Sequence, residues 1–288
     1  MGNIIDGLAI SKKIMHELKE EVDLLKEEKN IAPSLAVILV GNDPSSKIYV
    51  RNKAKACETL GIIAQEYYLP EDACECELLS LIKQLNEDDT VDGILLQSPI
   101  PSHLNIAKAF SKIKPEKDVD GFNPINIGML SMGYPVYIPC TPLGVMKMFY
   151  EYNIDVEGKN CVIVGRSNIV GKPMAQLLIN KSATVTICHT KTKDLKEKLL
   201  NADIIISATG KSKLITVDMI KEGTVIIDIG ITRKEDGTIS GDVDFENVRD
   251  KASYITPVPG GVGPMTVTML MNNVILACKN RRNESEKN

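Results

Sequence analysis

The sequence predicts an α/β protein built from two α/β domains with a cleft between them. Three observations carry that expectation. The chain has 288 residues, enough for two domains of ordinary size. Short apolar runs of strand length alternate with helical patterns over residues 10–96 and again over 160–278. Between the two series, residues 114–142 are rich in Pro, Gly, Asn and Asp and read as a long loop or interdomain link.

The elements follow in order. Ile10, Ile14, Leu18, Val22 and Leu25 fall on one stripe, so residues 10–26 are expected to form an amphipathic helix. Ser34 to Val40 is a continuous apolar run stopped by Gly41-Asn42-Asp43-Pro44, the pattern of a strand buried on both faces of a parallel sheet. A helix is expected over 45–60 with Gly61 as its cap, a strand over 62–69, a helix over 77–85 and a buried strand over 93–96. Thr141-Pro142 opens a helix to about Tyr150. In the second series, strands are expected at 160–164, 183–188, 204–207 and 225–229, and helices at 170–180, 192–200 and 265–278. The polar tail, 279–288, is expected to fray.

Composition narrows the function. The apolar fraction of 43% and charged fraction of 25% describe a chain with a real core. A net charge of −4 and an aromatic content of 4%, with no Trp, disfavour nucleic acid. Seven Cys lack any Cys-x-x-Cys pair, and the three His have no i,i+4 spacing, so no metal site is expected. The seven Cys read as buried or free thiols. No apolar run approaches a membrane span and the start lacks a signal peptide's pattern, so a reduced, cytoplasmic, soluble protein is expected.

Val164-Gly165-Arg166-Ser167-Asn168-Ile169-Val170-Gly171 stands between a predicted strand and a predicted helix, the context of a dinucleotide-binding turn. Gly165 permits a tight turn, Ser167 allows close phosphate approach, and Gly171 lets helix and strand pack. The helix N-terminus would then offer free N–H groups to an anion. The spacing is Gly-x-Ser-x-x-x-Gly, one residue longer than Gly-x-Gly-x-x-Gly, and a glycine-rich connection without ligand is the alternative. The next strand ends in His189-Thr190-Lys191 with no acid. Arg166 and Lys191 are placed to meet a 2′-phosphate, so NADP is expected over NAD.

Tyr49 and Lys53 lie four apart in a helical stretch, on one face. A phenol and an amine one turn apart can share a ligand, and burial would lower the amine's pKa toward neutrality; an ordinary surface lysine is the other reading. Gln97 ends a predicted strand, where ligands bind in parallel sheets; it is otherwise a turn residue. Lys117-Asp118-Val119-Asp120-Gly121 offers a carboxylate for a polar heterocycle, or else a solvated turn. Residues 256–266, with three Pro and three Gly before a helix, read as a shaped backbone loop.

Together these residues resemble the bifunctional methylenetetrahydrofolate dehydrogenase/methenyltetrahydrofolate cyclohydrolase family. The motifs, in order, are Ile5-Asp6-Gly7; Val40 to Ser46 running on to Tyr49, Val50 and Lys53; Gly93 to Pro101; Lys117 to Phe122; Pro139-Cys140-Thr141-Pro142; Gly165-Arg166-Ser167 to Gly171-Lys172-Pro173; and Pro257 to Thr266. The resemblance implies a folate-binding catalytic domain over 1–140, with the C-terminal helix 266–288 packed back onto it, and a Rossmann-like NADP-binding domain over 141–265. It implies NADP-dependent oxidation of 5,10-methylenetetrahydrofolate to the methenyl cation, then hydrolysis to 10-formyltetrahydrofolate in the same cleft, as part of one-carbon metabolism. It implies that Lys53 transfers the proton of the hydrolytic step, Tyr49 stacks on the folate, Gln97 hydrogen-bonds Lys53, and Asp120 binds the pterin's polar edge. Gly165, Arg166, Ser167, Gly171, Thr190 and Ile231 would line the cofactor. Pro257, Gly260, Gly261 and Val262 would belong to a loop closing over the folate. A homodimer paired through the cofactor domain is implied as well.

The chain departs from the family pattern at Ser98, Thr190 and Leu8, where Leu, Ser and Lys are usual, and none of these removes a proposed catalytic group. The alternatives are a related dehydrogenase lacking the hydrolytic step and a non-catalytic nucleotide-sensing module. The joint presence of Tyr49, Lys53, Gln97 and Asp120 argues against the first, and the combination of Tyr49 and Lys53 with an expected second-domain cleft argues against the second.

Overall fold

A computed structural model describes residues 2–233 and 237–285. The elements are β1 (Asn3–Ile4), α1 (Gly7–Lys29), β2 (Ser34–Val40), α2 (Pro44–Leu60), β3 (Ile63–Leu69), α3 (Glu75–Glu87), β4 (Gly93–Leu96), α4 (Ile106–Lys112), α5 (Pro124–Ser131), α6 (Cys140–Glu151), β5 (Asn160–Val164), α7 (Gly171–Ile179), β6 (Thr184–Cys188), α8 (Leu195–Leu200), β7 (Ile204–Ser207), β8 (Val225–Asp228), β9 (Thr232–Arg233), β10 (Ile239–Ser240), α9 (Phe245–Val248), β11 (Tyr254–Ile255) and α10 (Val262–Ser285).

The chain divides into two compact units, and the division falls within α1 and α10. One unit comprises residues 13–129, 135–140 and those from Val267 onward. Its sheet is parallel, in the order β3-β2-β4. β2 is buried at all seven positions, as its unbroken apolar run requires. Its core joins Ile38 and Val40 to Ile82, Leu85, Ile94 and Leu96. α2 starts cleanly because the Asp43 carboxylate accepts from the Ser46 N–H and Pro44 occupies the first turn. It stops at Gly61, whose φ of 77° suits a left-handed cap.

The other unit comprises residues up to Lys12, 130–134 and 141–266. Its six-stranded sheet has the order β1-β11-β8-β7-β5-β6, with parallel pairings throughout. The N-terminal residues cluster here because β1 pairs with β11 and the Gly2 N–H donates to the Arg249 carbonyl. From β5 the chain runs outward to β6 and returns across β5 to β7, so the switch in winding direction lies between β5 and β7.

The structure departs from the sequence expectations in the link, the tail and the cysteines. Residues 114–142 are not a bare link: they hold α5 and a 3₁₀ turn at Pro115–Lys117. Pro124 opens α5, and the Asn123 side chain accepts from the Ile125 N–H. The tail does not fray at Lys279, since α10 continues to Ser285. Arg281 donates to the Val91 carbonyl and pairs with Asp92 and Asp89, and Arg282 pairs with Asp92. Residues 286–288 lie outside the described residues. The Cys are not all thiols: Cys74 and Cys76 form a disulfide with Cα atoms 5.3 Å apart, while Cys57, Cys140, Cys161, Cys188 and Cys278 are free and buried. Among the described residues no helix is long and apolar enough to cross a membrane, and no His/Cys/Asp/Glu cluster could hold a metal.

Candidate active site

In the three-stranded unit, Tyr49 and Lys53 leave α2 one turn apart. Tyr49 is 41% exposed, an aromatic face open to a ligand. The Lys53 Nζ donates to the Gln97 Oε1 at 2.9 Å. Gln97 is buried just past the carboxyl end of β4. Its N–H donates to the Ile38 carbonyl at 2.9 Å, and its Nε2 donates to the Ser98 carbonyl at 2.6 Å. With the amide nitrogen thus committed, the Gln97 oxygen is left to face Lys53. The Ser98 hydroxyl oxygen is shut from solvent and finds no partner among the described residues. A larger apolar side chain would forfeit no hydrogen bond there.

Asp120 follows the 3₁₀ turn in the same unit. Part of the residue stays open, but its carboxyl lies deep enough for burial to raise its pKa, opposed by the positive charge of Lys53 and a hydrogen bond from Cys140. The Cys140 thiol donates to Asp120 Oδ1 and to the Val119 carbonyl, each at 3.6 Å. Asn273, buried on α10, donates to the Val119 and Ile138 carbonyls at 2.9 and 3.1 Å. Cys140 lies in the Pro139-Cys140-Thr141-Pro142 motif without a role expected of it, and Asn273 carries no expectation from the sequence. The signal for Asn273 is the pair Asn272-Asn273 inside the apolar stretch 265–278.

The turn carrying Asp120 is shaped by its neighbour. Asp118 Oδ1 accepts from the Phe122 N–H, and Oδ2 from the Asn123 N–H and the Asn126 amide. Burial pushes Asp118 from its ordinary 3.8 up to about 6 against those three donors. Folding therefore favours the protonated form. The contribution is complete below the unfolded pKa and is lost as pH rises through the folded one. A shift of this size corresponds to about 3 kcal/mol. In urea melts, the unfolding free energy of the wild type minus that of Asp118→Asn is expected to fall by about that amount between roughly pH 4 and pH 7. A flat difference contradicts the assignment.

In the six-stranded unit, Gly165 directly follows β5 and has φ 129°. Its N–H donates to the Cys188 carbonyl at 2.8 Å. That bond ties the end of β5 to the end of β6, so Arg166 and the His189-Thr190-Lys191 stretch emerge at the same edge. Arg166, Thr190 and Lys191 are exposed. A Cβ on Gly165 would strike the Ala208 carbonyl oxygen, and one on Gly171 would strike the carbonyl of Gly165. The turn thus lies against β7's end, at the switch point where doubly wound sheets bind ligands. One expectation is corrected here. The first N–H groups of α7 are spent inside the turn: those of Val170 and Gly171 go to Ser167 Oγ, and that of Lys172 to the Ser167 carbonyl. Pro173 has none. An anion would meet side chains, with Ser167 still holding its own proton to donate, and not the bare helix end.

Ile231, 46% exposed, follows β8 in the same unit. The loop 257–263 follows β11 in the same unit, and in it the Val258–Pro259 bond is cis and Gly260 has φ 102°. The Gly260 carbonyl accepts from the Leu8 N–H at 3.0 Å. A Cβ on Gly7 would strike the Gly261 carbonyl, and Val262 is buried at the start of α10.

These features define an α/β enzyme of two units, one with a dinucleotide-type turn at a switch point and one with an amine, an amide and a raised carboxyl in a single group. The first part of the chain, residues 5–120, matches the catalytic domain of tetrahydrofolate dehydrogenase/cyclohydrolase, and residues 139–282 match that enzyme's NAD(P)-binding domain. The chain belongs to the tetrahydrofolate dehydrogenase/cyclohydrolase family. It is 54% identical to the bifunctional protein FolD of Agathobacter rectalis over 97% of this chain and 100% of that one. Its structure is similar to the Campylobacter jejuni bifunctional enzyme FolD (TM-score 0.96, 53% identity, 98% and 100% of the two chains covered). It is also similar to the Trypanosoma brucei dehydrogenase-cyclohydrolase, solved with NADP cofactor and an inhibitor (TM-score 0.93, 39% identity, 97% and 98% covered).

Proposed function

We propose that the protein oxidises 5,10-methylenetetrahydrofolate with NADP and hydrolyses the resulting methenyl cation to 10-formyltetrahydrofolate. The observation that carries this reading is the Lys53–Gln97 hydrogen bond, on an amine whose charge acts on the buried carboxyl of Asp120. The three-stranded unit is assigned the folate. Tyr49 presents its ring to the pterin, and Asp120 binds the pterin's polar edge. Pro257, Gly260, Gly261 and Val262, which belong to the six-stranded unit, are assigned to the folate on the family's pattern.

Gly165, Arg166, Ser167, Gly171, Thr190 and Ile231 are assigned to the cofactor, and the tight approach of Gly165 and Gly171 to neighbouring carbonyls suits a dinucleotide turn. When bound, NADP supplies the hydride acceptor. Oxidation asks the protein for orientation, because the adjacent folate nitrogen stabilises the cation. Hydrolysis asks for a proton shuttle as water adds to the methenyl carbon and the ring opens. Lys53 Nζ is the group placed to move that proton, and Gln97 Oε1 aims it.

Arg166 and Lys191, with no acid at the end of β6, support NADP over NAD. Loss of a charge-assisted contact costs about 1.5–3 kcal/mol, so Arg166→Ala is expected to raise the KM for NADP about tenfold or more and to leave that for NAD nearly unchanged. An equal change for both cofactors contradicts the preference. The function itself is tested by following NADPH formation from methylenetetrahydrofolate and then decay of the methenyl absorbance. Absence of either signal overturns it. A homodimer paired through the cofactor unit suits β6, an edge strand with exposed Thr184, Thr186 and Ile187, and sedimentation measures it. A cytoplasmic setting is proposed on the family resemblance, with five Cys free and buried against one Cys74–Cys76 bridge, and cell fractionation tests it.

A further inference from the structure

Two buried carboxylates sit at the ligand end of the six-stranded sheet and belong to none of the groups assigned above. Asp228 ends β8 and Asp242 follows β10; both are buried. Asp228 Oδ1 accepts from the N–H groups of Gly230 and Asp242 at 2.9 and 3.0 Å, and Oδ2 from that of Val243 at 2.9 Å. Asp242 Oδ2 accepts from the Ser207 hydroxyl at 2.8 Å and the Thr209 N–H at 2.7 Å, and Oδ1 from the Lys211 N–H at 2.9 Å. Five backbone N–H groups from three loop segments thus converge on two side chains.

The backbone is cut to admit them. A Cβ on Gly230 would strike the Asp242 carboxylate, and one on Gly241 would strike that of Asp228. Two buried carboxylates so placed are expensive as mere packing, since burial and the neighbouring Asp242 raise Asp228 to about 6. What they hold is the rim of the switch point. Asp242 fixes residues 207–211, whose Ala208 carbonyl sits against Gly165. Asp228 fixes Gly230, the residue before the exposed Ile231. The two segments are laced together where the Thr232 hydroxyl donates to the Gly210 carbonyl at 3.0 Å.

We propose that Asp228 and Asp242 are positioning residues for the cofactor, acting through the loop at 208–211, which borders the Gly165 turn, and the loop at 230–232, which is hydrogen-bonded to it. The inference rests on the assignment of this unit to NADP. It separates the two activities, because hydrolysis of supplied methenyltetrahydrofolate uses no nicotinamide.

The test is kinetic, on the full-length Asp228→Asn and Asp242→Asn variants. Asparagine keeps the size but turns an NH₂ toward N–H donors that had an oxygen. The expected result is a fall of about tenfold or more in kcat/KM for oxidation, dominated by the KM for NADP. Cyclohydrolase turnover per folded molecule should stay within about twofold of wild type. A proportional loss of both activities shows a purely structural role and overturns the proposal, as does an unchanged KM for NADP. If the Asn variants do not fold, Ser207→Ala removes only the hydroxyl bond to Asp242 and should raise the KM for NADP about threefold; no rise overturns the proposal. A wild type that does not use NADP at all would instead overturn the cofactor assignment, which the same assay reads first.

Discussion

Lys53→Ala is expected to abolish cyclohydrolase activity, by about 10³-fold or more, while part of the dehydrogenase activity survives. The asymmetry follows from the two chemistries. Hydride transfer needs alignment of donor and acceptor. Hydration and ring opening need a proton moved at the reacting nitrogen and oxygen. Among the residues assigned to this step, Lys53 is the amine held for it, with its Nζ 2.9 Å from Gln97 Oε1. Gln97 in turn is fixed at its backbone by Ile38 and at its amide by Ser98. The substitution has a second consequence. Lys53 is the nearby charge that holds the Asp120 carboxyl down against burial, so removing it should raise that pKa further. Folate binding by Lys53→Ala should then change at a higher pH than in wild type. Both effects are read in one cuvette, from NADPH formation and methenyl decay over a pH series. Undiminished methenyl decay would sink the assignment of Lys53.

Gly165→Ala is expected to lower NADP-dependent oxidation by about a hundredfold and to leave hydrolysis of supplied methenyltetrahydrofolate running. A φ of 129° is open to glycine and strained for alanine. The new methyl would also meet the Ala208 carbonyl oxygen. Neither side can yield easily. The Gly165 N–H is bonded to Cys188, and the Ala208 N–H to Val164, so both are locked into the ladder on either side of β5. Together, strain and collision amount to a few kcal/mol, on the order of 1–3 from the backbone alone. Gly128→Ala is the matching control. A Cβ there meets nothing within 4 Å and the residue lies within α5, so both activities and stability should be preserved. Equal oxidation rates for Gly165→Ala and wild type would show that the turn does not set the cofactor.

Local patterns were legible where a residue's environment depends on its chain neighbours. The boundaries of β2, β4, β5 and β7 agree with the apolar runs residue for residue, because these parallel strands are buried at every position but the first of β5. Gly61 caps α2 for the reason its position suggests. α5 was hidden because its helix starts behind a Pro and an Asn, residues that read equally well as a loop. The Cys74–Cys76 bridge was hidden because the arithmetic of an odd Cys count says nothing about a pair two residues apart.

By itself the sequence determined two alternating α/β series, the Gly165 turn, and the helical phase that sets Tyr49 and Lys53 on one face. Chain-local sterics and hydrophobic period suffice for all of these. Only the tertiary structure decided what those residues meet. Lys53 finds Gln97 across 44 positions of sequence, and Asn273 reaches back to Val119 across 154. Asp228 and Asp242 gather N–H groups from three loops that the sequence separates. Hydrogen bonds and buried charge act through space, so their partners are set by how parallel strands are ordered in a sheet and not by spacing along the chain.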